Sequence, residues 1–249
     1  MIEIKNISKS FAGVEVLKDI SFIFEQGKTN LIIGESGSGK TVLMKCMVGL
    51  HKIDVGQVLY NNRSFFDLAF EEKKAIRKEI GMLFQGGALF DSQTVEENVV
   101  FPLSMFTDMS ESEKRDRANF CLSRVNLVDA NNRYPSEISG GMKKRVAIAR
   151  AIAVQPKYLF CDEPNSGLDP RTSIVIDNLI KEITEEYNIT TIVITHDMNS
   201  VIEIGDRVMF IYKGQNWWEG TNKEILSANN PELLDFVYAS KFMKELRNK

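Results

Sequence analysis

The run Gly34-Glu35-Ser36-Gly37-Ser38-Gly39-Lys40-Thr41 has the composition of a phosphate-binding loop. Glycines let the backbone curl so that successive N–H groups face an anion, and the positive end of the following helix adds to the attraction. Lys40 is then placed to neutralise β- and γ-phosphates and the Thr41 hydroxyl to ligate Mg2+, with Val42 just behind them in the helix. A strand before, a helix after and the Lys-Thr pair separate this run from a Gly-rich turn that matches by chance. A second constellation is Tyr158-Leu159-Phe160-Cys161-Asp162-Glu163, an apolar strand ending in two carboxylates. Asp162 suits the water shell of Mg2+ and Glu163 the poising of an attacking water. Alone, such an end is commonly just solvated; beside a phosphate loop it reads as chemistry. In the third, Ser139-Gly140-Gly141-Met142, followed by Lys143, Lys144 and Arg145, opens a helix, either as a flexible cap or as a site for phosphate oxygens. Because the chain already has one phosphate loop, this second helix start points to a nucleotide held by a partner.

The elements that must position these residues alternate between strand and helix. Residues 1–7 and 20–24 read as strands, 29–33 as a continuously apolar buried strand, and 42–50 as a mostly buried helix that closes before a turn at Asp54-Val55-Gly56. Residues 71–78 form a charged helix and 80–84 another buried strand, after which 94–125 is mainly helical. Alternation then returns, with strands at 158–161, 191–195 and 208–212 and helices at 171–187 and 197–204. Asp169 and Pro170 are suited to be N-cap and first residue of the first of those helices. The tail from Pro231 is a helical candidate carrying Leu233, Leu234, Phe236, Val237 and Phe242. The expected organisation is one domain over 1–249, with a core of 1–84 and 140–228, a helical subdomain at 85–139 and a C-terminal extension at 229–249.

Composition limits the function. With 43% hydrophobic and 26% charged residues the chain lies in the globular range, and a net charge of −3 provides no basic footprint, so nucleic acid is not an expected partner. No secretory leader is legible at the start, and no run of eighteen or more apolar residues occurs, so a location inside the cell is expected and any membrane part belongs to another chain. Cys46, Cys121 and Cys161 are odd in number and lie in apolar contexts, which fits reduced packing residues rather than a disulfide or metal site.

Taken in order, the motifs resemble those of ABC-transporter ATPases over nearly the whole chain. Ile138 to Met142 resembles the family signature LSGGQ, with Ile and Met in place of Leu and Gln. Gln85 stands at the Q-loop position, Ser166-Gly167-Leu168-Asp169 matches the D-loop, His196 the switch histidine, and Phe11 the aromatic that stacks on adenine, with a core position as the lesser alternative for Phe11 read alone. His196 follows the apolar strand Thr191-Ile192-Val193-Ile194-Thr195, and Gln85 follows Gly81-Met82-Leu83-Phe84, so both stand at strand ends where ligands bind in such folds. The resemblance implies an α/β P-loop NTPase fold of ABC type: a RecA-like core, an antiparallel β subdomain and an inserted helical subdomain. It implies ATP hydrolysis with Mg2+, with Glu163, His196 and Gln85 catalytic and Thr41, Gln85 and Asp162 at the metal. The phosphate loop, Phe11, Ser139, Gly140, Gly141 and Asp169 would then bind nucleotide. Two copies would close on ATP, driving integral membrane permease subunits from the cytoplasmic face of the inner membrane.

Residues 81–103 and the stretch Ser-Gly-Gly-Met-Lys-Lys-Arg-Val-Ala-Ile-Ala-Arg-Ala-Ile resemble more narrowly the Mce-linked, Mla-type phospholipid ATPases, in which Met replaces the signature Gln. That likeness implies a lipid cargo, with an Mce-domain substrate-binding protein and a small regulatory protein as further partners; the tail either clasps the second ATPase subunit or the regulatory protein, or docks on its own domain. A transporter of another cargo, such as an amino acid or lipoprotein, is the nearest alternative. A non-transport ABC ATPase lacks its usual second ATPase unit here, and a kinase leaves Ser139-Gly140-Gly141 and His196 unexplained. Ala88, Leu89 and Phe90 either receive an apolar knob of a membrane subunit or pack within the helical part, and Trp217-Trp218 is either a strand pair or a contact patch.

Overall fold

The computed structural model describes residues 1–239; Phe242 and the rest of 240–249, part of the expected C-terminal extension, lie outside the described residues. In chain order the elements are β1 (Ile2–Phe11), β2 (Val14–Phe24), β3 (Thr29–Ile33), α1 (Lys40–Met47), β4 (Val55–Tyr60), β5 (Arg63–Ser64), α2 (Phe70–Lys78), β6 (Ile80–Leu83), α3 (Val95–Phe106) and α4 (Glu111–Arg124). There follow α5 (Gly140–Ile152), β7 (Tyr158–Asp162), α6 (Pro170–Glu186), β8 (Thr190–Ile194), α7 (Met198–Ile204), β9 (Arg207–Tyr212), β10 (Gln215–Gly220) and α8 (Pro231–Val237). They divide into two units, Phe70–Thr191 and the remainder.

In the first unit the alternating N-terminus folds as a sheet of order β2-β1-β4-β5. Ile2 and Ile4 of β1 are buried while Lys5 faces water, the period-two pattern of a sheet covered on one side, and a register shift against β2 between Ile4 and Ile7 returns Ile7 to the buried side. Both turn residues joining β1 to β2, Ala12 and Gly13, have positive φ (47° and 80°), as a tight hairpin requires. β3 is buried at every residue and pairs in parallel with β9, which carries β10 antiparallel on its other side. The expected turn at residues 54–56 is instead the opening of β4. Its Gly56 has φ +95°, and a Cβ there would lie 2.3 Å from the Lys5 carbonyl oxygen and 2.4 Å from that of Asn6. Gly56→Ala is therefore expected to cost about 2–4 kcal/mol from overpacking and a disallowed φ. Calorimetry should show a fall in Tm of about 5–15 °C.

The tail closes this unit: Leu233 and Val237 of α8 are buried and the Phe236 ring lies 5.4 Å from that of Phe210. The Trp217-Trp218 pair belongs to strand β10, with the Trp217 indole donating to Glu232 at 3.2 Å.

In the second unit β6 and β7 pair in parallel, Ile80 beside Tyr158 and Leu83 beside Cys161. The helices expected in 94–125 are α3 and α4, each opened by a capping box, Thr94 with Glu97 and Ser110 with Glu113. Arg117 of α4 donates to the carbonyls of Ile152 and Ala153 at the end of α5. β8 crosses the division, its first two residues in this unit and its last three in the other. All three cysteines are buried; burial pushes the Cys46 and Cys121 thiols up to about 11, and Cys161 further. No helix among the described residues is long and apolar enough to cross a membrane.

Candidate functional site

The first unit carries the phosphate loop, built where β3 runs into α1. Gly34 leaves the strand with φ +146°, and a Cβ there would lie 2.3 Å from the Ile211 carbonyl oxygen and 2.9 Å from Ser38 Oγ. No side chain fits. Gly39, at φ +108°, is the N-cap of α1 and has no side chain to make a cap bond. The helix begins at Lys40, two residues before the expected start at Val42. Lys40 is 7% exposed, and its ammonium donates to the carbonyls of Gly34 and Glu35 at 2.8 Å each, so the loop is wound around the cation. Ser38 Oγ is buried without a hydrogen-bond partner. Glu35, Ser36 and Gly37 face solvent, while Thr41 and Val42 are half-buried in the first turn.

These features fit a triphosphate: a helix start capped by a glycine, a curled backbone, a central cation and a buried Ser38 hydroxyl in want of a partner. Thr41, Gln85 and Asp162 offer oxygen donors only, the chemistry that suits Mg2+.

Two further expected residues lie in this unit. Phe11 ends β1 and is 40% exposed, so it is not a core residue; its ring meets that of His51 edge-on at 5.3 Å, and the Lys9 ammonium lies 5.2 Å from its centroid. Asp54 holds Lys9 at 2.6 Å and the Ser10 N–H at 2.7 Å, which stiffens the strand end bearing Phe11. His196 is exposed just beyond β8, whose end is secured by the Thr195 N–H donating to the Ile32 carbonyl at 3.2 Å.

The second unit carries the remaining residues. Asp162 is the last residue of β7, and Glu163 follows with φ +50°, a left-handed conformation that non-glycine residues enter at a cost. Gln85 is exposed after β6. Ser139 is the N-cap of α5: its hydroxyl accepts from the Met142 N–H at 3.3 Å, and both it and Gly140 are exposed. Gly141 is half-buried, and a Cβ there would lie 2.7 Å from Thr172 Cγ2. Asp169 caps α6 as expected, accepting from the Arg171 and Thr172 N–H groups at 3.0 and 3.1 Å. The Thr172 hydroxyl, aided by the Thr172 and Arg171 N–H groups, holds its carboxyl below the usual carboxylate range. Ahead of it, Asn165 donates to the buried Asp177 carboxylate at 2.8 Å.

Two cations of α5 bind loop backbone in a way the sequence did not foretell. Lys144, read from sequence as part of a phosphate-facing basic run, is 5% exposed and donates to the backbone carbonyls of Gln85 and, at 3.4 Å, of Glu163. Arg150 donates to the carbonyls of Gly87 and Ala88 at 2.7 Å each. For Lys144 the signal was available: with Ala147, Ile148 and Ala151 it shares the buried i, i+3, i+4, i+7 stripe of α5.

Next to these contacts lies a groove of about 400 Å³, lined by Phe84, Ala88, Phe90, Phe101, Phe106 and Arg150 among others. The Phe90 and Phe101 rings meet at 4.7 Å, yet both remain exposed, at 41% and 38%. Of the two expectations for Phe90, contact within the helical part and exposure to a partner, both features are present.

A glycine loop wound around a lysine between a buried strand and a helix defines a P-loop nucleotide hydrolase of α/β class. The chain belongs to the ABC transporter family, whose model matches residues 17–166. It is an ABC-type ATPase that uses ATP and Mg2+, with the P-loop NTPase fold of ABC cassettes. It is 39% identical over 237 residues to the methionine import ATP-binding protein MetN of Clostridioides difficile strain 630, covering 95% of this chain and 74% of that one. It is 36% identical over 261 residues to the MetN of Campylobacter jejuni, covering 98% and 78%. Among solved structures, the ATP-binding cassette MJ0796 in a dimeric post-hydrolysis state with ADP and Pi bound superposes with a TM-score of 0.82 at 33% identity, over 89% of this chain and 99% of that one.

Proposed function

We propose that the chain powers import of an amino acid of the methionine kind, as one of two copies that close on ATP beneath membrane permease subunits at the cytoplasmic face. The single observation that carries the pairing is the exposed start of α5. The Ser139 hydroxyl accepts from its own helix, so its proton remains for an acceptor outside the chain, and a thirteen-residue helix points its positive end the same way. The similarity to a dimeric cassette supports this reading.

In the proposed cycle Lys40 and the loop N–H groups bind the β- and γ-phosphates, and Phe11 stacks on the adenine. Gln85 and His196 contact the γ-phosphate region, and Glu163 takes the proton of the attacking water. Thr41, Gln85 and Asp162 would hold Mg2+, which neutralises charge developing on the phosphate oxygens. Ser139 and Gly141 of the second copy press on the γ-phosphate. Because these contacts exist only while that phosphate is in place, its loss removes the differential affinity that keeps the pair closed.

The groove beside Gln85 is the proposed seat of an apolar segment of a permease subunit. Phe101→Glu is expected to weaken association with the permeases about 10–100-fold, the scale of losing one apolar anchor. Unaltered co-purification would remove the groove from this role.

The methionine importers among the relatives favour an amino acid over the lipid cargo that residues 81–103 and Met142 first suggested. The lipid reading retains one observation of its own, the Met142 substitution in the signature. Mass spectrometry of the molecule retained by the complex purified with its permeases decides between them: bound methionine or a related amino acid supports the proposal, and bound phospholipid replaces it.

A further inference from the structure

Helix α5 does more than present Ser139 at its tip. From one side it grips the backbone of two loops that follow neighbouring strands. Arg150 takes the carbonyls of Gly87 and Ala88, at φ +77° and +48°, beyond β6. Lys144 takes the carbonyl of Gln85 in the same loop and reaches that of Glu163, at φ +50°, beyond β7. Both non-glycine residues with left-handed backbones at these strand ends thus have their carbonyls held by a cation of α5.

A 5%-exposed ammonium is a costly filler: an apolar side chain of the same length would pack there without the desolvation penalty. Burial lowers the Lys144 pKa, against the opposing pull of the Asp162 and Glu163 carboxylates. What the ammonium provides, and a hydrocarbon cannot, is a fork of donors spanning two carbonyls on two separate loops.

We infer that Lys144 is a positioning residue for ATP hydrolysis, clamping the backbone of Gln85 to that of Glu163 so that the two side chains reach the reacting phosphate in a fixed relation. This rests on the proposed role of Glu163 at the attacking water. The clamp also gives a route by which occupancy of the groove is felt at the carboxylate, because Arg150 and Ala88 line that groove and Gln85 lies in the same loop.

The test is Lys144→Met, which keeps the aliphatic stem and removes the donors, with Lys144→Arg as the conservative variant. In steady-state ATPase assays Lys144→Met is expected to lower kcat about 10–100-fold, the effect of a small misplacement of a catalytic group, with KM for ATP within about twofold. Lys144→Arg should restore most of the rate. In single-turnover measurements, Lys144→Met added to Glu163→Gln should cost little more, because a residue acting through Glu163 loses its effect when that carboxylate is gone. Unchanged kcat, a rise in KM alone, or full additivity with Glu163→Gln overturns the assignment. If Lys144→Met does not fold, Lys144→Gln takes its place: shorter and able to span only one carbonyl, it should lose about 3–10-fold in kcat, and a wild-type rate overturns the proposal. Should Glu163→Gln itself turn over normally, the reading of Glu163 fails; should it be inactive while Lys144→Met is fully active, only the inference about Lys144 fails.

Discussion

Glu163→Gln is expected to bind ATP with near wild-type affinity, to lose about 10²–10⁴-fold in turnover and to accumulate as an ATP-bound pair. The substitution keeps size and shape and can still hydrogen-bond a water, but a carboxamide cannot take the water's proton. Binding is left intact because the groups proposed for the phosphates are elsewhere: Lys40, wrapped by the loop, and the glycine-capped start of α1. The φ of +50° at Glu163 is a backbone property that the isosteric substitution keeps, and the Lys144 hydrogen bond is to the carbonyl oxygen of Glu163. The paired state follows from the cycle: with the γ-phosphate uncleaved, the contact from Ser139 of the second copy is never released. Phosphate-release kinetics, equilibrium binding of labelled ATP and light scattering with and without ATP measure the three parts separately. Turnover within about twofold of wild type would assign the proton acceptor to another group.

The same residue illustrates what a sequence can and cannot reveal. Its place at the end of an apolar strand was legible from Tyr158 to Asp162, because a buried strand in an α/β core needs a continuous apolar run and must end where polar residues begin. The phosphate loop and the Asp169 cap were legible for a similar reason: both are local, decided by residue types within a few positions. What remained hidden was set by distant chain. Val55 and Gly56 read as a turn because Gly usually punctuates structure, whereas here Gly56 is needed because β1 passes within a Cβ radius of it. Lys144 read as one of three cations that follow a helix start suited to phosphate oxygens. Its burial depends on two carbonyls, 59 and 19 residues away, that turn towards it. β2 extends from Val14 rather than from residue 20 because pairing with β1 sustains a strand through Glu15, Lys18 and Asp19, which no hydrophobic alternation would predict.

Lys40→Met should produce the opposite phenotype to Glu163→Gln: a failure to bind rather than a failure to turn over. The ammonium is 7% exposed and spends its charge on the carbonyls of Gly34 and Glu35, a cation held at the centre of a ring of backbone. A triphosphate offers it a stronger partner than a neutral carbonyl, because charge-assisted bonds are about twice as strong as neutral ones. Taking about 1.5–3 kcal/mol for each of two such bonds, removal of the ammonium is expected to weaken ATP binding about 10²–10⁴-fold. Methionine preserves the stem, so α1, anchored by Leu43, Met44 and Met47, stays folded. Isothermal titration with ATP and with AMP separates the effects: ATP, whose γ-phosphate the ammonium is proposed to neutralise, should lose far more than AMP, for which the proposed contact is the stack on Phe11. Equal losses for both nucleotides would mean that the loop had collapsed rather than lost a charge, and a thermal transition shifted by more than a few degrees without ligand would show the same failure directly.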